Sequence, residues 1–325
     1  MKAIVVDGDD LVWRDVVDPD LGDGPGVGQV QIRVHATAIN RADLVQRSGG
    51  YPPPPGASAI LGLECAGEVL AVGDSVSRVQ PGDAVCALLS GGGYAEQVVV
   101  PAGQVLPIPD GLDMEQAAAI PEVFATAYLN LYMEAGLTRG EHVVLHAGAS
   151  GVGTAGIQLC NATNNPCFVT AGSADKIDRC IALGAEAGWD RNEGSFLPAV
   201  TQWRDGGGVD VVLDPVGAAY FTDNLNCLNL EGRLVLIGLM SGVDAQLNMG
   251  VLMMKRLRVI GSTLRARSVA AKAAVMDELK TNVWPHLGNG TIKPIIEEVI
   301  PIAEAARAHE LVAGNQTFGK VVLKV

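Results

Sequence analysis

His146-Ala147-Gly148-Ala149-Ser150-Gly151-Val152-Gly153-Thr154-Ala155-Gly156 follows the strand-like run Glu141-His142-Val143-Val144-Leu145. Gly151, Gly153 and Gly156 stand in G-x-G-x-x-G spacing where a strand gives way to a helix. The first glycine permits a tight turn, the second lets backbone approach a pyrophosphate, and the third lets helix pack on strand. In a chain with 40 Gly the spacing alone is weak. Context strengthens it: a helix over Thr154 to Asn161 and an apolar strand, Pro166 to Thr170, ending in Ala171-Gly172-Ser173, complete a βαβ unit. The stretch predicts a dinucleotide site, the alternative being a tight turn and nothing more.

The end of that second strand sorts NAD from NADP, because an acid there bonds the ribose 2′-hydroxyl and repels a 2′-phosphate. No acid occupies it. Gly172 and Ser173 leave room for a phosphate, Lys176 lies one turn on, and Arg191 follows the short strand Ala187 to Trp189. Two cations can neutralise a phosphate, so NADPH is favoured over NADH. Asp175 and Asp178 count against this unless they point away, and the plainer reading makes Lys176 and Arg191 ordinary solvated charges.

Working outward, 325 residues give room for about two domains. Apolar residues at 48% and charged ones at 18% fit a globular protein. The net charge of −13 disfavours nucleic acid and anionic membranes as partners. No run approaches the roughly 18 apolar residues of a membrane span. Met1 to Asp7 meets an acid too soon for a signal peptide, so a cytoplasmic location is expected. Cys65, Cys86, Cys160, Cys167, Cys180 and Cys227 form no C-x-x-C and pair with no His at ligand spacing, so they read as small buried apolar residues. His35 falls on the polar face of a strand, and His146 is expected to pack or hydrogen-bond.

Residues 1 to about 120 read as short strands broken by Gly and Pro turns. Val30 to Thr37 alternates with period two, and further runs cover Cys65 to Val72, Asp83 to Leu88 and Tyr94 to Val100. A β-rich, barrel-like domain is expected. From Glu122 the pattern changes to a helical run, Phe124 to Leu131, and then to alternating helices and strands. Val143 to His146, Phe168 to Thr170, Val209 to Asp214, Gly232 to Ile237 and Val259 to Ser262 each read as strands buried on both faces of a parallel sheet. The class is α/β, with a doubly wound nucleotide-binding domain. Arg267 to Thr281 reads as a helix, and Ile295 to Ile300 and Lys320 to Val325 as strands free to rejoin the first domain. The division expected is 1–121 completed by 266–325, with 122–265 between.

This order of domains resembles the medium-chain dehydrogenase/reductase superfamily, with a GroES-like first domain and a Rossmann second domain. Within it the chain is most similar to the zinc-free quinone oxidoreductases, in the branch of the tumour-suppressor-inducible enzyme. The resemblance rests on dispersed matches: Asn40 to Leu44, Pro53 to Gly56, Leu61 to Glu64, Gly91 to Ala95, Ala117 to Glu122, His146 to Gly153, Thr170 to Ser173 and Gly238 to Met240. Zinc-dependent members carry a Cys where Asn40 stands and a His where Leu63 precedes Glu64, and the four-Cys lobe is absent here. A catalytic zinc needs three protein ligands, so no metal is expected.

The resemblance implies that Ala147, Gly148, Ser150, Gly151, Val152 and Gly153 cradle the pyrophosphate. It places Gly172, Ser173, Lys176 and Arg191 at the adenosine phosphate, although relatives often carry a Tyr at the Arg191 position. Asp214, Val216 and Gly217, with Gly238, Leu239 and Met240, would run along the nicotinamide. Leu264, Arg265, Asn315 and Lys320 are also brought toward the cofactor in relatives. For chemistry the candidates are Tyr51, matching a substrate-cleft Tyr; Ser150, which suits cofactor binding better than nucleophilic attack; and Asn40, for ribose, substrate or a turn cap. Arg41 and Asp43 are read as a local pair.

The function so implied is NADPH-dependent reduction of a quinone, with metal-free hydride or electron transfer in the cleft between the domains. The alternatives are an enone or alkenal reductase, or an NADPH-holding protein with little turnover, as crystallin relatives suggest. A homodimer is expected, with Leu234 to Ile237 and Val259 to Ser262 leaving a sheet edge that needs a partner.

Overall fold

The computed structural model describes residues 1–17 and 24–325. By their contacts these form two compact units, one of 1–125 with 264–325 and the other of 126–263. In the first, β1 (Lys2–Asp7) and β2 (Asp10–Asp15) form a hairpin across Gly8-Asp9, which the sequence pattern did not single out. The remaining early strands are β3 (Gln29–Ala38), β4 (Glu64–Val72), β5 (Ala84–Leu88), β6 (Gln97–Pro101) and β7 (Val105–Pro107). The period-two alternation of β3 buries Val30, Ile32, Val34 and Ala36 and exposes Arg33 and His35. Val30, Ile32 and Val34 pack with Val69, Val85, Val98 and Val100 into one core. Tyr94 precedes its strand rather than starting it, and Ala95 makes only an isolated bridge to Ala3.

The second unit contains β8 (Val143–Leu145), β9 (Cys167–Ala171), β10 (Ala187–Asp190), β11 (Val209–Asp214), β12 (Leu228–Leu236) and β13 (Arg258–Gly261). All pair in parallel, in the order β10-β9-β8-β11-β12-β13. The strand order reverses at β8, so the carboxyl ends of β8, β9 and β11 frame the crevice where doubly wound sheets bind ligands. β8 and β9 are buried throughout, as their apolar sequences require. Two expectations need correction. β13 is an exposed edge strand rather than a buried one, and Leu234–Leu236 lies inside the sheet between β11 and β13, so of the two segments expected at an edge β13 alone is there, β10 forming the opposite edge.

The chain then returns to the first unit. β14 (Ile296–Pro301) and β15 (Lys320–Lys324) pair in parallel, joined through the helix Ala305–Ala313. β15 also lies antiparallel to β3, setting Val322 opposite Ala38. This brings Lys320 beside the end of β3. Among the described residues no helix is long and apolar enough to cross a membrane, and all six cysteines are buried and free.

Candidate functional site

At the end of β8 the backbone turns through Ala147, whose φ of 53° is left-handed, and Gly148 N–H donates to Thr170 O at 2.8 Å. The left-handed residue of the turn is thus Ala147 and not Gly151, which is already the first residue of the helix Gly151–Thr163. Ser150 is the N-cap, its Oγ accepting from Gly153 N–H at 3.0 Å. A Cβ on Gly153 would lie 2.5 Å from the carbonyl oxygens of both Ala147 and Gly148. The first-turn amides of Gly151 and Val152 have no intrahelical acceptor, which suits a pyrophosphate at a helix N-terminus.

Beneath this loop runs a polar chain in which His146 hydrogen-bonds as expected, through an Asn224 that the sequence did not single out. Asn224 donates Nδ2–H to Asp214 Oδ2 at 2.8 Å, so its Oδ1 is left to accept from His146 Nε2–H at 2.7 Å. His146 Nδ1 then accepts from the Thr170 hydroxyl at 3.0 Å, and Thr170 Oγ1 accepts from Ala147 N–H at 3.3 Å. The chain ties together the ends of β9, β8 and β11. Burial lowers the His146 pKa to about 4, against the Asn224 hydrogen bond that opposes it, so the ring stays neutral as this tautomer requires. Asp214 Oδ1 also accepts from Val216 and Gly217 N–H, and burial raises its carboxyl to about 6. That turn packs on the Gly238–Ser241 segment: a Cβ on Gly238 would lie 2.8 Å from Pro215 O, and Ser241 N–H donates to Val216 O. Leu239 and Met240 are exposed.

At the end of β9, Ser173 caps the helix Ala174–Ala182 by accepting from Lys176 N–H at 3.3 Å. The Arg191 guanidinium lies against Gly172, where a Cβ would meet its Nε and Nη2 at 3.4 Å. Asn192, also missed, donates to Gly172 O at 3.1 Å and to Asp190 Oδ1, fixing the turn that carries Arg191. Asp175 and Asp178 are both exposed.

In the first unit Asn40 is buried within an ionic network. Lys320 Nζ donates to Ile39 O and Asn40 Oδ1, each at 2.6 Å, and lies 2.8 Å from Glu64 Oε1; Asn40 Nδ2 donates to the same Glu64 oxygen at 2.9 Å. Glu64 Oε2 accepts from Glu122 N–H. The expected Arg41–Asp43 pair gives way to other partners. Asp43 accepts from the N–H groups of Asn40 and Gly62 and from the Tyr94 hydroxyl, while Arg41 donates to Val312 O and to Asn315 Oδ1. Burial raises Asp43 to about 6. Tyr51 stands beside Arg265, whose guanidinium carbon is 5.3 Å from the ring centroid. Arg265 donates to Ser90 O and Tyr51 O, and Lys272 donates to the Ser90 hydroxyl. Leu264 is buried in the same unit. Among the described residues no three His, Cys, Asp or Glu side chains gather as a metal site.

Residues 26–110 match the family model for the alcohol dehydrogenase GroES-like domain, and 151–280 that for the zinc-binding dehydrogenases. The chain is 34% identical over 302 residues to a quinone oxidoreductase of Pseudomonas aeruginosa, covering 92% of each. It matches the structure of Escherichia coli quinone oxidoreductase complexed with NADPH at a TM-score of 0.87 and 28% identity, over 100% of this chain and 99% of that one. A mycobacterial protein complexed with NADPH matches at 0.87 and 29%, over 100% of both chains. The chain belongs to the medium-chain dehydrogenase/reductase superfamily, with a GroES-like and a Rossmann domain, and has quinone oxidoreductases among its relatives.

Proposed function

We propose that the chain is an NADPH-dependent oxidoreductase that reduces quinones without a metal. The observation that carries the cofactor reading is the Arg191 guanidinium lying on Gly172 at the acid-free end of β9. That is where an adenosine 2′-phosphate needs space and positive charge. Ala147, Gly148 and Ser150 to Gly153 form the pyrophosphate cradle, with Ser173 and Lys176 beside the 2′-phosphate. Asp214 holds the turn carrying Val216 and Gly217, which with Gly238 to Met240 flank the nicotinamide. NADPH when bound supplies the hydride.

The metal-free reading is supported by the donor set in the first unit, since Asn40 and Glu64 are already committed to the Lys320 ammonium. Asn40 and Lys320 therefore act by shaping the site, as does Arg265 by holding Tyr51. The Tyr51 phenol, half-buried, is the donor offered to a quinone oxygen. Burial raises its pKa, as does Glu122 when ionised, with Arg265 opposing, so it keeps its proton.

NADPH oxidation across ortho-quinones, para-quinones and enones tests the reading. Turnover of enones alone, or tight NADPH binding with no turnover, would replace it with the corresponding alternative. Arg191→Ala is expected to weaken NADPH about 10- to 100-fold, the value of roughly one to two charge-assisted bonds, while leaving NADH within about 2-fold; equal losses refute the phosphate role. The exposed edge strand β13 and the exposed residues Met249, Met253 and Met254 offer a surface for a homodimer. Light scattering at micromolar protein should give twice the chain mass, and a monomer removes this reading.

A further inference from the structure

Reduction of a quinone consumes a proton as well as two electrons, and the acids of the first unit differ in their freedom to supply it. Both oxygens of Glu64 have donors: Lys320 and Asn40 on Oε1, Glu122 N–H on Oε2. Both oxygens of Asp43 are likewise taken, by Gly62 N–H on one and by Asn40 N–H and the Tyr94 hydroxyl on the other. Glu122 differs, because its Oε2 is sealed from water and accepts no hydrogen bond. An ionised oxygen in that position loses its hydration without compensation, and a neutral carboxyl there loses much less. The residue as a whole is nonetheless partly exposed, which gives its proton a route from solvent.

The surroundings divide in their effect. Burial is the largest influence and holds the proton on, Glu64 and Asp43 add to it, and Lys320 and Lys272 oppose; the result is a carboxyl raised to about 8. Tyr51 and Arg265 are within electrostatic reach of Glu122. Arg265 is 3% exposed, and its Nη2 is a second buried polar atom without a partner. An unused buried donor and an unused neutral acid thus belong to the cluster that holds the Tyr51 phenol, and a substrate oxygen is the acceptor such a cluster lacks.

We propose that Glu122 is the proton carrier of this reduction, delivering its carboxyl proton to the reduced quinone oxygen and regaining one from solvent. The inference rests on the quinone-reductase reading. The hydride brings both electrons, oxidising NADPH to NADP+ and leaving a hydroquinone anion. The carboxyl O–H bond breaks, an O–H bond forms on that anion, and the Glu122 carboxylate is reprotonated from water.

The active form is the neutral acid, so kcat/KM should be level below pH 8 and fall about tenfold per unit above it. Glu122→Gln keeps the backbone N–H to Glu64 but has no proton to give. It should lose about 100-fold or more in kcat/KM and the alkaline limb with it, at unchanged NADPH affinity, and Glu122→Asp should restore part of the rate. A readout free of turnover is the carbon-13 titration of glutamate carboxyls in the protein without cofactor. One signal should titrate near pH 8 and vanish in Glu122→Gln. Wild-type rate and pH profile in Glu122→Gln, or no glutamate titrating above the ordinary range, overturns the carrier role while the quinone-reductase reading stands. Absence of quinone turnover in the wild type, with Glu122 still titrating near 8, overturns that reading and the proton-carrier role with it.

Discussion

Lys320→Met is expected to destabilise the protein by about 3–5 kcal/mol, the usual cost of removing one partner from a buried ion pair. Lys320 and Glu64 are 4% and 0% exposed at the side chain, and their charged atoms are 2.8 Å apart. With the ammonium gone, Glu64 keeps only Asn40 Nδ2–H and Glu122 N–H as donors, and Ile39 O and Asn40 Oδ1 each lose one. The penalty comes mainly from the stranded charge and less from any net worth of the pair. Glu64→Gln in the Lys320→Met background should therefore recover more than half of the loss, because a neutral amide replaces the carboxylate. Urea denaturation of the two single variants and the double variant measures this. Additive losses would show that the two side chains do not act as a unit.

Gly153→Ala should weaken NADPH binding by about 100-fold or more, the scale on which small misplacements at a preorganised site are felt. The added methyl would sit 2.5 Å from the carbonyl oxygens of Ala147 and Gly148. Those are backbone atoms, and Gly148 is further pinned by its N–H bond to Thr170 O. The loop must move as a whole, and the amides of Gly151 and Val152 move with it. Gly156→Ala provides the contrast: its methyl meets the Leu145 side-chain ends at 3.3 and 3.4 Å, which can yield. That variant should stay within about 5-fold of the wild-type affinity on the same scale. Calorimetric titration with NADPH decides, and equal affinity in Gly153→Ala and wild type would remove the cradle assignment.

The glycine loop was legible because its signals are local. Strand, capped turn and helix follow one another within a few residues, and an apolar run such as Val143–Leu145 announces a buried parallel strand. The β3 alternation was legible for the same reason. Less so was the exposure of β13: Val259-Ile260 is as apolar as any inner strand, and only the sheet order leaves it at an edge. Asn192 and Asn224 carried no signal, since asparagine is ordinary in turns and on helices. Their importance comes from what lies opposite, Gly172 O in one case and His146 with Asp214 in the other.

The sequence by itself determined the elements and their class, because hydrophobic period, turn residues and glycine spacing act through neighbours along the chain. It also determined that no acid stands at the end of β9. Only the tertiary structure decided what the buried charges do. Asn40, Glu64 and Lys320 come from β3's end, β4 and β15, and Asn40 and Lys320 lie 280 positions apart. Arg265 reaches Ser90 across 175 positions. Whether such a side chain is a surface charge, a structural counter-ion or a proton donor depends on its desolvation and its partners. Both are set by the sheet that closes when β15 returns to β3, and neither is a property of the chain read in order.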